Sequence, residues 1–177
     1  MSKKAKRVKI VKGNKISSKG NRVIEKKALE DKPLTKKDNG KNKDLTLIFI
    51  AILLFIIDRL LKFFIKEGVC NNILCLKQTL NYGAVFGILP GATLLFIIAA
   101  LVLIPILIAL CLRTKSNLLR IAFILITTGA LSNLIDRIMF GYVIDFVSLL
   151  RSSFFNLADI INIMGAIFLV VSLIREK

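Results

Sequence analysis

Four aspartates follow the basic N-terminal stretch of this 177-residue chain: Asp58, Asp136, Asp145 and Asp159. Two of them have basic neighbours. Asp58 and Lys62 stand four residues apart, on one face of a helix, and Asp136 adjoins Arg137. These read as neutralised pairs that pin helix ends, or as groups that serve a site. Asp145 and Asp159 have no basic residue within three positions, although Arg137 and Arg151 are able to reach them through the fold. Two nearby carboxylates among apolar neighbours cannot both ionise cheaply, so such a pair shares a proton. It can then activate a water as base and protonate a leaving amine as acid. A structural or ion-path role is the alternative for the same residues. Asn133 shares a helical face with Asp136 or Arg137, and Asn156 lies three residues before Asp159.

Other chemistries are narrowed by composition. The chain has no His, which removes Ser-His-Asp and Cys-His catalysis and the commonest zinc ligand. Cys70, Cys75 and Cys111 form no CxxC pair and Cys111 sits in an apolar span, so no metal is expected. A Cys70–Cys75 disulfide is open if that loop faces an oxidising side.

The elements that position these residues follow from hydropathy. The chain is 55% hydrophobic yet carries a formal net charge of +16. Residues 1 to 45 hold 16 Lys/Arg against 5 Asp/Glu. This stretch is expected to be a disordered tail over residues 1–44, since it has too little apolar surface to offset the entropy of ordering. Nucleic-acid binding is the minor reading; beside a membrane span, a Lys-rich tail stays near anionic headgroups in the cytoplasm. It is too long and polar for the n-region of a cleaved signal peptide. After it come four apolar stretches long enough to span a bilayer, at about Leu45–Ile65, Gly91–Leu112, Leu118–Ile135 and Phe154–Ile174. Pro105 is expected to kink the second.

Three groups of positive charge agree on orientation: the tail, the loop with Arg113, Lys115 and Arg120, and the C-terminal Arg175 and Lys177. Both termini are then cytoplasmic, and the loops at about 66–90 and 136–153 lie outside. On this frame all four aspartates gather near the outer membrane face. A charge costs roughly 2.5–3.5 kcal/mol at a helix centre, so Asp58, Asp136 and Asp159 should face the bundle interior with partners.

At this point a resemblance appears. Asn81-Tyr82-Gly83-Ala84-Val85-Phe86-Gly87 resembles the NxGxxFG signature of the lipoprotein signal peptidases, also called signal peptidase II. Thr128 to Arg137 resembles the family's GGAxGNxxDR block, and Gly141-Tyr142-Val143-Ile144-Asp145-Phe146 its G-x-V-x-D-F continuation. Phe155-Asn156-Leu157-Ala158-Asp159 matches FNxAD, and Asp58 with Lys62 fits an earlier DQxxK element. The blocks stand in family order from about Leu45 to the C-terminus. Three positions depart: Arg59 replaces Gln, Thr128 replaces the first Gly, and Ser132 replaces the Gly before Asn133. The last two imply slightly wider helix packing, and Arg59 altered contacts with headgroups or substrate. The tail has no counterpart in the pattern.

The resemblance implies an all-α integral membrane fold of four transmembrane helices. A small extracytoplasmic β-element would follow the first span, within Val69–Phe86, where Ile73-Leu74-Cys75-Leu76 suits a strand. A short extracytoplasmic helix would lie between the third and fourth. It implies that Asp145 and Asp159 are catalytic, that Asn81, Gly83, Asn133, Arg137 and Asn156 line the site and bind substrate, and that Asp58, Lys62 and Asp136 support structure and lipid contact. The implied enzyme is an aspartic endopeptidase of the bacterial cell membrane that needs neither metal nor organic cofactor; a monomer is expected, although the sequence leaves the oligomeric state open. Its substrate is a diacylglyceryl-modified prolipoprotein, cut just before the lipidated Cys. Membrane phospholipids are its other expected partners, and nucleic acid is not. The rivals are a proton-linked transporter, which would usually carry a mid-membrane charge or inverted repeats, and a non-catalytic scaffold. The scaffold reading leaves the unpaired Asp145 and Asp159 unexplained.

Overall fold

The computed structural model describes residues 38–83, 91–150 and 152–175. The expected disordered tail, up to residue 37, lies outside these residues, as do Phe86 and Gly87 of the first motif, Arg151 and Lys177. From residue 41 on, the described chain belongs to one compact unit.

Four long apolar runs become four helices, α1 Asp38–Phe64, α2 Thr93–Arg113, α3 Asn117–Phe140 and α4 Leu157–Arg175. Among the described residues, α2, α3 and α4 are long and apolar enough to cross a membrane. Helix α1 differs in carrying Asp58, Arg59 and Lys62 near its C-terminal end. It also starts at Asp38 rather than near Leu45, and Pro105 lies inside a continuous α2.

The third helix runs past its expected end at Ile135 to Phe140, so Asn133, Asp136 and Arg137 project from its last turns. Its start is capped by Ser116, whose hydroxyl accepts from the Leu119 amide. Its end is fixed by Gly141 at φ 81°, where the amide bonds back to the Arg137 carbonyl. A left-handed glycine stops a helix and turns the chain sharply.

Polarity is inverted relative to a water-soluble protein. Along α2, Leu94, Leu95, Ile98, Leu101 and Val102 are more than half exposed, and Ile104 and Leu107 are its buried residues. The interior instead holds Asp58, Lys62, Asp136, Asp145 and Asn156, each at most 2% exposed. Apolar surface on this scale marks contact with lipid, and buried charge demands partners.

Helices α3 and α4 meet through two glycines. A Cβ on Gly129 would lie 2.5 Å from the Ala158 carbonyl oxygen, and one on Gly165 would lie 2.6 Å from Ile126 Cγ1. Small residues let the backbones approach this closely. Ser132 is more than a spacer there: its hydroxyl donates to Asp58 Oδ2 at 2.5 Å.

The end of the helices that carries Asp58 and Asp136 also carries a two-stranded antiparallel sheet, β1 Leu74–Asn81 and β2 Val143–Leu149. Leu74 pairs with Leu149 and Asn81 with Val143, with a register shift between Leu76 and Thr79. The first strand confirms the expected β-element and is longer than the Ile73–Leu76 core of that expectation. The second corrects the expected short helix between α3 and α4, since the described residues there form β2 and irregular chain. The run Val143-Ile144-Asp145-Phe146-Val147 favours a strand by its β-branched and aromatic residues. The open edge of β1 satisfies its backbone groups, which burial would otherwise leave unpaired. Phe155 extends the arrangement by bonding to Val147. Ahead of β1, Cys70 and Cys75 are joined in a disulfide.

Candidate active site

The base of the site is an ion network between α1 and α3. The Lys62 ammonium donates to Asp58 Oδ2 at 2.9 Å, Asp136 Oδ2 at 2.8 Å and Asn133 Oδ1 at 3.0 Å. Its three N–H groups therefore have three acceptors. Asp58 Oδ1 accepts the Ala158 amide at 3.0 Å, a free donor in the first turn of α4, where a negative charge also suits the helix dipole. Asp136 accepts from Arg59 and from the Ile144 amide at the start of β2.

Asp58 and Lys62 thus form the expected i,i+4 pair. The expected pairing of Asp136 with Arg137 is corrected: Asp136 faces α1, and its cations are Arg59 and Lys62. Consecutive helical residues point about 100° apart, so a neighbour in sequence is a poor partner. Arg137 turns the other way. It donates to the Gly83 carbonyl at 3.0 Å and lies 5.0 Å over the Phe96 ring.

Above this base stand Asp145 and Asp159. Asn156 and Asp159 make a reciprocal cap at the start of α4: the Asp159 amide donates to Asn156 Oδ1 at 2.9 Å, and the Asn156 amide to Asp159 Oδ2 at 3.3 Å. This is the geometry of a capping box, so the spacing also serves the fold. The other carboxylate oxygen of Asp159 accepts from Asn133 Nδ2 at 2.9 Å. Asp145, on β2, accepts from Asn156 Nδ2 at 2.7 Å and from Asn81 Nδ2 at 2.8 Å. Asn81 is held in turn by the Gly83 amide at 2.9 Å.

The two acids share Asn156, yet their settings differ. Burial pushes the Asp145 carboxyl up to about 6; the Asn81 hydrogen bond pulls it down, and the charge of Asp159 raises it further. Asp159 lines a cavity of about 240 Å3 together with Asn81, Asn133, Arg137 and apolar residues of α2 such as Phe96 and Leu103. Asp145 does not line it, and Asn81 stands on its cavity side.

Every site residue expected from the sequence is therefore joined to this region, Asp58, Lys62 and Asp136 as the base and the others nearer the cavity. One residue was missed. Asn162 lines the cavity from α4, and its Oδ1 is a buried acceptor with no hydrogen-bond partner among the described residues. Its signal was a lone amide in an apolar helix, one turn after Asp159.

This arrangement has relatives. Residues 50–175 match the family model described as signal peptidase (SPase) II. The lipoprotein signal peptidase of Halothermothrix orenii is 35% identical over 141 residues, covering 74% of this chain and 97% of that one. That of Moorella thermoacetica is 39% identical over 132 residues, covering 69% and 88%. A bacterial membrane enzyme solved by the in meso method at 2.3 Å resolution shares the fold at a TM-score of 0.68, with 28% identity over 74% of this chain and 88% of that one. The family model spans well over half of the sequence, and the chain belongs to the signal peptidase II family.

Proposed function

We propose that the protein is an aspartic endopeptidase that removes the signal peptide from diacylglyceryl-modified prolipoproteins, cutting just before the lipidated Cys. Membership of a family of lipoprotein signal peptidases supports the substrate class. The observation that carries the catalytic reading is the joint tethering of Asp145 and Asp159 by Asn156, beside a cavity.

In this reading a water between the two acids attacks the scissile carbonyl. One carboxylate takes the water's proton as the new C–O bond forms, and the other, protonated, donates to the carbonyl oxygen. Collapse of the tetrahedral intermediate breaks the C–N bond, the departing amine takes a proton, and the dyad returns to its one-proton state. Asn81 covers Asp145 on the cavity side, so it must yield for a water to bridge the acids. Asn133, Arg137, Gly83 and Asn156 hold the dyad and bind substrate backbone. No metal or organic cofactor takes part.

Four spans are part of the proposal. Helix α1 has 27 residues, enough for the hydrocarbon core, and turns Asp58 and Lys62 inward while Phe49, Ile52 and Leu60 face outward. With residues 1–44 as a cytoplasmic tail, both termini lie inside the cell and the dyad near the outer face of the bacterial cell membrane. The protein works as a monomer among phospholipids.

The test is cleavage of a diacylglyceryl-modified prolipoprotein by purified protein, comparing wild type with Asp145→Asn and Asp159→Asn. Loss of cleavage in each variant, with insertion and folding intact, is expected. Full cleavage by either variant removes that residue from the chemistry. An inactive wild type defeats the peptidase reading altogether.

A further inference from the structure

A second cavity, of about 280 Å3, opens where the end of α1 meets β1, β2 and the end of α3, and it shares no lining residue with the first. Three cations line it, Arg59, Lys62 and Lys66, together with the neutral donors Gln78 and Tyr142. Among the described residues no carboxylate does. We propose that this cavity binds the phosphate group of an anionic phospholipid.

Lys62 and Arg59 are balanced by Asp58 and Asp136, which sit behind the wall. Lys66 has no such balance: it makes no ion pair among the described residues, and its ammonium rests 5.3 Å over the Phe63 ring. The cavity therefore carries a surplus positive charge. Lys62 is saturated by its three acceptors and serves as the floor. Arg59 uses one nitrogen on Asp136 and is 25% exposed, so the rest of its fork remains for a ligand. A guanidinium fork matches phosphate oxygens, and a lysine adds a point charge.

The rim chooses the source of that phosphate. Phe63, 64% exposed, lines the cavity with Phe64 edge-on against it, and Phe140 stacks on Tyr142 with ring centroids 5.9 Å apart. A free phosphate ion gains nothing from such a rim, whereas the glyceride part of a lipid buries against it. Aromatic and basic side chains together are also what a membrane interface favours. A choline headgroup brings its own cation toward Lys66, so an anionic lipid fits better than a zwitterionic one.

The cavity is wired to the candidate active site. Lys62 donates to Asn133, and Asn133 donates to Asp159. A ligand on Arg59 thus sits against the network that orients one of the two acids. The binding proposal rests on the membrane setting and not on peptidase chemistry, so a folded but inactive protein still tests it.

The experiment measures lipid retained by the full chain, purified from phosphatidylcholine nanodiscs containing a minor share of phosphatidylglycerol, by native mass spectrometry. Wild type should retain phosphatidylglycerol over phosphatidylcholine by about fivefold or more, the effect of roughly one well-placed charge. Lys66→Gln, an exposed position beyond the end of α1, should remove most of that preference without touching the buried ions. Arg59→Gln with Lys66→Gln should abolish it. The basic tail is the same in all of these proteins, so a preference that survives the double substitution belongs to the tail and overturns the proposal. Equal retention of the two lipids by wild type does the same. Inorganic phosphate is the second probe: if it displaces the retained lipid at millimolar concentration and raises Tm as much as phosphatidylglycerol does, the site takes the free anion and the lipid assignment fails.

Discussion

Asn156 donates its side-chain amide to Asp145 at 2.7 Å while its backbone and carboxamide oxygen cap the helix that carries Asp159. One residue therefore sets the position of both acids. The two tasks can be separated. Asn156→Ser retains a capping oxygen that Asn156→Ala lacks, so the Ala variant should be the less stable of the two by about 1 kcal/mol. Both lose the donor to Asp145, so both should cleave the lipidated substrate at least about tenfold more slowly. Thermal unfolding beside a cleavage assay checks this; a fully active Asn156→Ser enzyme would show that the bond to Asp145 is dispensable.

Acid–base behaviour follows from the environment of Asp145. Its carboxyl is raised to about 6 by burial, above the value of an unfolded chain. The folded state then binds the extra proton between about pH 4 and 6, so the contribution of Asp145 to stability is present at low pH and falls as pH rises through about 6. Cleavage by a one-proton dyad should decline on the same alkaline limb. Asn81 stabilises the charged form, so Asn81→Ala should move that limb to higher pH. A pH–rate profile of kcat/KM for both proteins reads the shift, and an unmoved or acid-shifted limb counts against it.

Lys62 is the sole cation bonded to both Asp58 and Asp136 among the described residues. Lys62→Met leaves Asp58 without its ion pair and Asp136 with Arg59 alone. Breaking a buried pair from one side costs about 3–5 kcal/mol, so a large fall in Tm is expected. The double substitution Lys62→Met with Asp58→Leu removes both charges and should recover part of it. No recovery would argue that Asp58 acts mainly on the Ala158 amide.

Asn162 has the opposite expectation. Its buried Oδ1 lacks a partner among the described residues, and such an acceptor costs about 1–3 kcal/mol. Asn162→Leu, which keeps the branched shape and removes the acceptor, should raise Tm. If the carboxamide turns to meet a substrate N–H in the cavity, the same variant should raise KM severalfold with kcat within about twofold. An unchanged KM alongside a raised Tm would leave Asn162 without a part in binding.

Much of this protein is set by local pattern. Runs of about 20 apolar residues require helices in lipid, because only a helix satisfies its own backbone there. The spacing of Asp58 with Lys62 puts them on one face, and that of Asn156 with Asp159 forms a cap whatever surrounds it. The gathering of the four aspartates at one end follows from alternation of direction along successive spans. The partners between elements were a different matter. Apolar periodicity fixes the rotation of a helix only if one face is polar, and α2 is apolar nearly all round. Helix α3 carries its polar residues on several faces, so Asp136 turning to Arg59 and Arg137 turning to Gly83 were decided by how α3 sits between its neighbours. The strand β2 likewise depends on the unpaired edge of β1, some 60 residues earlier in the chain. The burial of Asn162 depends on the close approach of α4 to Gly129. Spacing along one element determines which side chains share a face; which faces meet is settled only when the helices dock, since the energy that selects it comes from contacts distant in sequence.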